Sequence, residues 1–189
     1  IAMYTFESCD ALETVLLPQG LKGIGQYAFR NCVKLSEISL PEGLVTLNAQ
    51  AFSGCGQYFE KTGLKTGLKS ITVPSTVTTI GKSVFENCAA LEEATVKSTN
   101  VGENMFLGCV SLKKVTIGAE TESIKALAFS GCKSLAEVNM QSNVLAEIGK
   151  GAFQNTAITQ FTVPDTVDTL GAGSASSTCL LYTSPSPRD

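Results

Sequence analysis

The sequence predicts a repeat solenoid, with one parallel β-sheet on its front and short turns on its back, and three observations carry that prediction. Phenylalanine recurs at Phe6, Phe29, Phe52, Phe85, Phe106, Phe129 and Phe153. Cysteine follows it three residues later at Cys9, Cys32, Cys55, Cys88, Cys109 and Cys132, and Leu six residues later in most units. Gly or Asn stands four residues before Phe at Gly25, Asn48, Gly81, Gly102 and Gly149. Self-similarity at a period of about 20–25 residues marks a solenoid, in which no coil buries its apolar face without neighbours.

The stretch after each Cys reads as a strand. Leu35-Ser-Glu-Ile38-Ser-Leu40 ends in apolar–polar alternation, the signature of a half-buried strand. Equivalent strands are expected at residues 13–17, 69–73, 92–96, 113–117, 136–140 and, one residue early, 159–163. Stacked coils bring them into one parallel sheet at a spacing of about 4.8 Å. Pro18, Pro41, Pro74 and Pro164 follow the strands and end the ladder, because Pro has no N–H to donate. The Gly/Asn slot predicts a tight left-handed turn. Lys125 in that slot predicts a different turn or local strain. The Ala-Phe step that follows predicts a short helical turn, with each buried ring contributing about 1.5–3 kcal/mol.

Residues 35–55 spell Leu-x-x-Ile-x-Leu-Pro-x-x-Leu-x-x-Leu-Asn-x-x-Ala-Phe-x-x-Cys, and residues 1 to about 171 keep that register. The pattern resembles the BspA-type leucine-rich repeat. The resemblance implies a curved right-handed leucine-rich-repeat coil, with its sheet on the concave face and short helical turns or loops behind. It also implies a cell-surface or secreted protein used in adhesion, and it supplies no catalytic residues.

Departures from the repeat locate insertions and ends. The interval from Phe52 to Phe85 is 33 residues against the usual 23, and the extra length falls between Cys55 and Leu68. It contains the doublet Thr-Gly-Leu-Lys at 62–65 and 66–69. Tyr58, Phe59, Lys61 and Lys65 there are a candidate contact loop, since solenoid insertions map to loops that carry function. A tolerated copying slip of the repeat is the favoured alternative, because lengthening a loop costs little. The interval from Phe85 to Phe106 is two residues short, and Thr156 replaces the last Cys.

Ile1 occupies the slot of Ile24, Ile80, Ile124 and Ile148, so the sequence is expected to open mid-coil as an excerpt, without leader or cap. The repeats are expected over 1–171, followed by a Gly/Ala/Ser-rich stretch at 172–178. Residues 179–189 resemble a translated sequencing-library adapter and are set aside from the fold. The other reading of that tail is a Ser/Pro-rich linker.

Composition narrows the function. Histidine is absent, which removes the commonest general base and metal ligand. With carboxylates scattered and cysteines single, no catalytic set, metal site or cofactor is expected. The net charge of −3 is spread along the chain, with no basic stripe for nucleic acid and no membrane-spanning apolar run. The cysteines form either a disulfide set or a ladder of buried thiols. Their identical slots point the side chains parallel, which favours the ladder.

The candidate binding face is the set of outward strand positions. One column reads Glu37, Ser70, Glu93, Lys114 and Glu137; the next reads Ser39, Thr72, Thr95, Thr116 and Asn139. The expected partner across these columns is a protein or glycan, with no nucleic acid and no membrane insertion. The alternative is a passive spacer, since Thr suits strands and Glu–Lys pairs across rungs aid solubility.

Overall fold

In the computed structural model, described for residues 1–59 and 63–173, the chain winds as stacked coils around one apolar core. The first strands in chain order are β1 (Thr14–Val15), β2 (Gly23–Ile24), β3 (Glu37–Ile38), β4 (Thr46–Leu47) and β5 (Gly56–Phe59). Next come β6 (Leu64–Gly67), β7 (Ser70–Val73), β8 (Thr79–Ile80), β9 (Glu93–Val96) and β10 (Asn100–Val101). The last are β11 (Lys114–Ile117), β12 (Ser123–Ile124), β13 (Glu137–Met140), β14 (Glu147–Ile148) and β15 (Thr169–Leu170).

Two parallel ladders run along the stack. The front ladder consists of β1–β3 and, separately, β7–β9–β11–β13. A second ladder, not anticipated from the sequence, consists of β2–β4–β8 and β10–β12–β14–β15. Its inward residues include Ile24, Leu47, Val101, Ile124 and Ile148, all buried. Two-residue strands are too short for alternation to reveal.

The back of each coil is a third ladder made of turns. No helix forms there among the described residues, contrary to the expected helical turn. The residues two before and two after Phe adopt left-handed φ, as at Tyr27 (58°) and Asn31 (59°) around Phe29. Ser83 (60°) and Asn87 (57°) around Phe85, and Leu127 (55°) and Gly131 (74°) around Phe129, do the same. Right- and left-handed residues alternate, so no helical run can propagate. Instead the amides at these positions all turn toward the next coil. Tyr27 N–H donates to Ala49 O (3.2 Å), Phe29 to Ala51 (2.8 Å) and Asn31 to Ser53 (2.8 Å). A left-handed non-Gly residue costs about 1–2 kcal/mol, offset here by hydrogen bonds repeated between coils.

The expected left-handed turn therefore sits two residues later than the Gly/Asn slot. Gly25, Gly81, Gly102 and Gly149 are not left-handed. Three of them are required by proximity: a Cβ on Gly81 would lie 2.2 Å from Ala49 N, and on Gly149 2.5 Å from Ala126 N. Lys125 has no positive φ, so the strain expected there is absent, and its ammonium pairs with Glu147 Oε2 at 2.6 Å.

The core is a column of stacked rings. Neighbouring rings from Phe6 to Phe153 lie 5.1–5.5 Å apart, and interplanar angles stay at 12° or less. Beside it, the thiols from Cys32 onward reach the preceding coil's Phe carbonyl: Cys32 to Phe6 O at 3.0 Å, Cys55 to Phe29 O at 3.0 Å and Cys88 to Phe52 O at 3.3 Å. Cys109 and Cys132 repeat the contact at 3.1 Å, and all six column cysteines are free.

The final coil departs from the pattern. No strand forms at 159–163. Thr156 Oγ1 turns back to its own Phe153 carbonyl (3.0 Å), where a Cys would bond the coil before. Phe161 occupies an inner strand position that Val115 and Val138 fill elsewhere, and its ring tilts by 44° against Phe153.

Burial pushes the Cys132 thiol up to about 12, from an ordinary value of 9.0. Cys55 and Cys109 are likewise raised, chiefly by burial. The unfolded chain therefore loses these protons first as pH rises. For Cys132 the stability so conferred is complete below about pH 9 and declines as pH rises from about 9 to about 12. Urea unfolding across that window is expected to show the decline, with a shallower slope in Cys132→Ala. At neutral pH the buried thiols are expected to react with a thiol reagent only after denaturation.

Candidate functional site

The front ladder aligns the candidate face in register. Ser70, Glu93, Lys114 and Glu137 stand side by side, with Thr72, Thr95, Thr116 and Asn139 two residues on. Inward partners Ile71, Ala94 and Val115 are buried, which fixes these side chains outward. Lys114 Nζ contacts Glu137 Oε1 at 2.6 Å. Glu137, and then Glu93, hold the Lys114 ammonium above its usual range. One rung-entry position earlier, Lys113 Nζ meets Glu92 Oε2 at 2.6 Å. That contact, with help from Lys69 and Lys65, lowers the Glu92 carboxyl.

Glu37 and Ser39 are set apart from the other eight face residues. Glu37 pairs with Thr14 in β1–β3, Ser39 lies just past the strand, and β3 does not pair with β7. A cavity of about 220 Å³ lies at this end, beside Thr14, Leu16, Gln19, Glu37 and Ser39. Leu16 is 93% exposed where the other coils present Ser, Thr or Asn, so the column turns apolar there.

The sheet divides where the insertion enters. There Gly56–Phe59 (β5) and Leu64–Gly67 (β6) pair antiparallel as the two arms of a hairpin, in register from Gly56↔Gly67 to Phe59↔Leu64. Its root needs both glycines. A Cβ on Gly67 would fall 2.4 Å from Gly56 Cα, and both have positive φ (107° and 139°). Successive residues of β6 point to opposite faces. Thr66 Oγ1 donates to Val33 O in the coil before (2.8 Å), while Lys65 Nζ donates to Ser111 Oγ two coils on (2.5 Å). The ribbon thus stands across the lateral edge with a cavity on either side.

One of these cavities, about 270 Å³, is lined by Glu13, Lys34, Ser36, Lys65 and Lys69. The other, about 480 Å³, is lined by Gly63, Lys65, Val110 and Lys133. Of the candidate contact loop, Tyr58 and Phe59 lie in β5, Lys65 is half-buried in β6, and Lys61 lies outside the described residues. The sequence reading missed Lys34, Lys69 and Lys133 as neighbours of this loop. The only sequence signal was the coil register, which places them on adjacent rungs.

A family model described as the BspA type leucine rich repeat region, in 6 copies, matches residues 1–70 and 57–180. The chain belongs to the BspA-type leucine-rich repeat family. No curated protein matches it. Among solved structures, it is similar to a leucine-rich repeat protein from Bacteroides ovatus, with TM-score 0.63 and 26% identity over 90% of this chain and 49% of that one. It is also similar to the T. pallidum leucine rich repeat protein, with TM-score 0.63 and 27% identity over 82% of this chain and 68% of that one. A leucine-rich repeat protein from Eubacterium ventriosum shares the fold, with TM-score 0.73 and 23% identity over 93% of this chain and 45% of that one. This BspA-type chain thus spans about half the length of two of these proteins. Among the described residues, no helix is long and apolar enough to cross a membrane, and no group of three or more His, Cys, Asp or Glu side chains could hold a metal ion.

Proposed function

We propose that this BspA-type stretch is a non-enzymatic recognition module of a cell-surface or secreted protein, which adheres to a protein or glycan through its front sheet. The observation that carries this reading is the pair of in-register polar columns on β7, β9, β11 and β13. They are held on a sheet whose inner face is locked into the phenylalanine core, so the contact groups are ordered before a partner arrives, which lowers the entropic cost of binding. Extended sheet faces of this kind are the usual binding surfaces of solenoids. Family membership supports the surface location.

The test is the variant Glu93→Ala/Thr95→Ala/Lys114→Ala/Thr116→Ala, screened with the parent against extracellular-matrix proteins and neutral glycans. All four side chains point outward, so the unfolding midpoint is expected to hold. Binding is expected to weaken at least about tenfold, a loss of about 1.4 kcal/mol or more. Unchanged binding by the folded variant rules this face out.

A second reading, a passive spacer, is favoured by the unbroken ring stack from Phe6 to Phe153, which suits a rod. Absence of any partner for the folded protein in that screen selects the spacer.

A further inference from the structure

We propose that the hairpin edge is a second binding surface, separate from the front columns, and that it takes a polyanionic glycan bearing sulfate or carboxylate groups. The chain as a whole carries a net charge of −3. Yet Lys34, Lys65 and Lys69 share one hairpin cavity, and Lys65 and Lys133 share the other. Lys113 joins them through Glu92, which feels Lys113, Lys69 and Lys65 together. Against these five cations stand Glu13 in the first cavity, Glu92, and Asp10, which shares a further cavity with Lys34 and the ribbon residues Gln57 and Thr66. Among the described residues the edge is therefore net positive on a negative molecule. Lys34, Lys69, Lys113 and Lys133 are exposed. A concentration of one sign beside low-dielectric walls focuses the field on an incoming anion.

The rest of the lining selects the class of anion carrier. Ser36 and Glu13 supply a hydroxyl and a carboxylate to the lining, and the strands that follow Ser36 and Lys69 in the chain, β3 and β7, are not paired with each other. Unpaired strand edges present main-chain donors and acceptors, which suit the hydroxyls of a sugar chain. Among the residues lining these two cavities, Val110 is the one large apolar side chain, it lines only the second, and Val is under-represented among the residues that anchor protein interfaces. The cations are lysines, point charges suited to separated sulfates or carboxylates; the Arg30 guanidinium is engaged elsewhere by Glu7 and Tyr27.

The experiment titrates the protein with a size-defined sulfated uronate oligosaccharide, a neutral glycan of equal length and single-stranded DNA of equal charge. Lys34→Glu/Lys69→Glu/Lys133→Glu is compared with Lys22→Glu/Lys97→Glu/Lys150→Glu, which makes the same charge change at exposed sites outside the hairpin cavities. The sulfated oligosaccharide is expected to bind, with affinity falling as salt rises. The hairpin variant is expected to lose at least about tenfold in affinity and the control less than about threefold. Equal loss in both variants, equal binding of the DNA, or no binding of the sulfated chain overturns the proposal. Lys→Gln replacements at the same three sites provide the comparison if charge reversal impairs folding. The front-face alanine variant is expected to bind the oligosaccharide unchanged, which keeps this test independent of the front-sheet reading.

Discussion

Phe85→Ala is expected to destabilise the protein by about 3–5 kcal/mol, read as a fall in the urea midpoint. Phe85 is fully buried, with Phe52 stacked 5.3 Å away on one side and Phe106 5.5 Å away on the other. Truncation removes two ring contacts and leaves a cavity between coils. The walls cannot close over it, because the Phe85 amide is fixed to Met105 O at 2.9 Å and the Phe52 amide to Val84 O at 2.9 Å. Phe6 is only half-buried and stacks on one ring, Phe29, so Phe6→Ala is expected to cost clearly less. Equal costs at the two positions would contradict a core built as a ring column.

Gly81→Ala is expected to cost more than about 3 kcal/mol, or to prevent folding, although it adds one methyl group. The new Cβ would sit 2.2 Å from Ala49 N and 2.6 Å from Ala49 Cα, both main-chain atoms of the preceding coil. Relief requires the coils to separate, which breaks Gly81 N–H to Leu47 O (2.8 Å) and the pairing of β4 with β8. Gly20 has nothing within 4 Å of its ideal Cβ, so Gly20→Ala is expected to stay within about 0.5 kcal/mol of the parent. Thermal unfolding of the two variants checks the contrast.

The apolar side of this architecture was legible because it repeats. The Phe and Cys columns identify the core, and the long Phe52–Phe85 interval locates the hairpin. The β-branched alternation of Ser70–Val73, Lys114–Ile117 and their neighbours identifies most of the front strands. The backbone of the turns was not legible. Tyr27, Gln50 and Leu127 adopt φ near +55° although nothing in their chemistry prefers it, since hydrogen bonding to the next coil imposes it. Glycine was read for its conformational freedom where Gly81 and Gly149 are needed for space. The basic edge was hidden for a related reason. Lys34 and Lys133 are far apart in sequence, and stacking places them on the two sides of one hairpin.

Each length change opens one ladder locally. The insertion lies where β3 and β7 fail to pair, and the two-residue deletion lies where β8 and β10 fail to pair, while the back ladder continues through both. Residue-resolved amide hydrogen exchange tests this account most directly. The Glu93 and Lys114 amides donate to Lys69 O (3.2 Å) and Glu92 O (3.3 Å) in the preceding coils, and Ser70 is their equivalent on the unpaired edge of β7. Slow exchange is expected at Glu93, Lys114, Phe52 and Phe85, with fast exchange at Ser70 and Thr72. Protection of Ser70 and Thr72 equal to that of Glu93 and Thr95 would mean an unbroken front sheet and contradict the account.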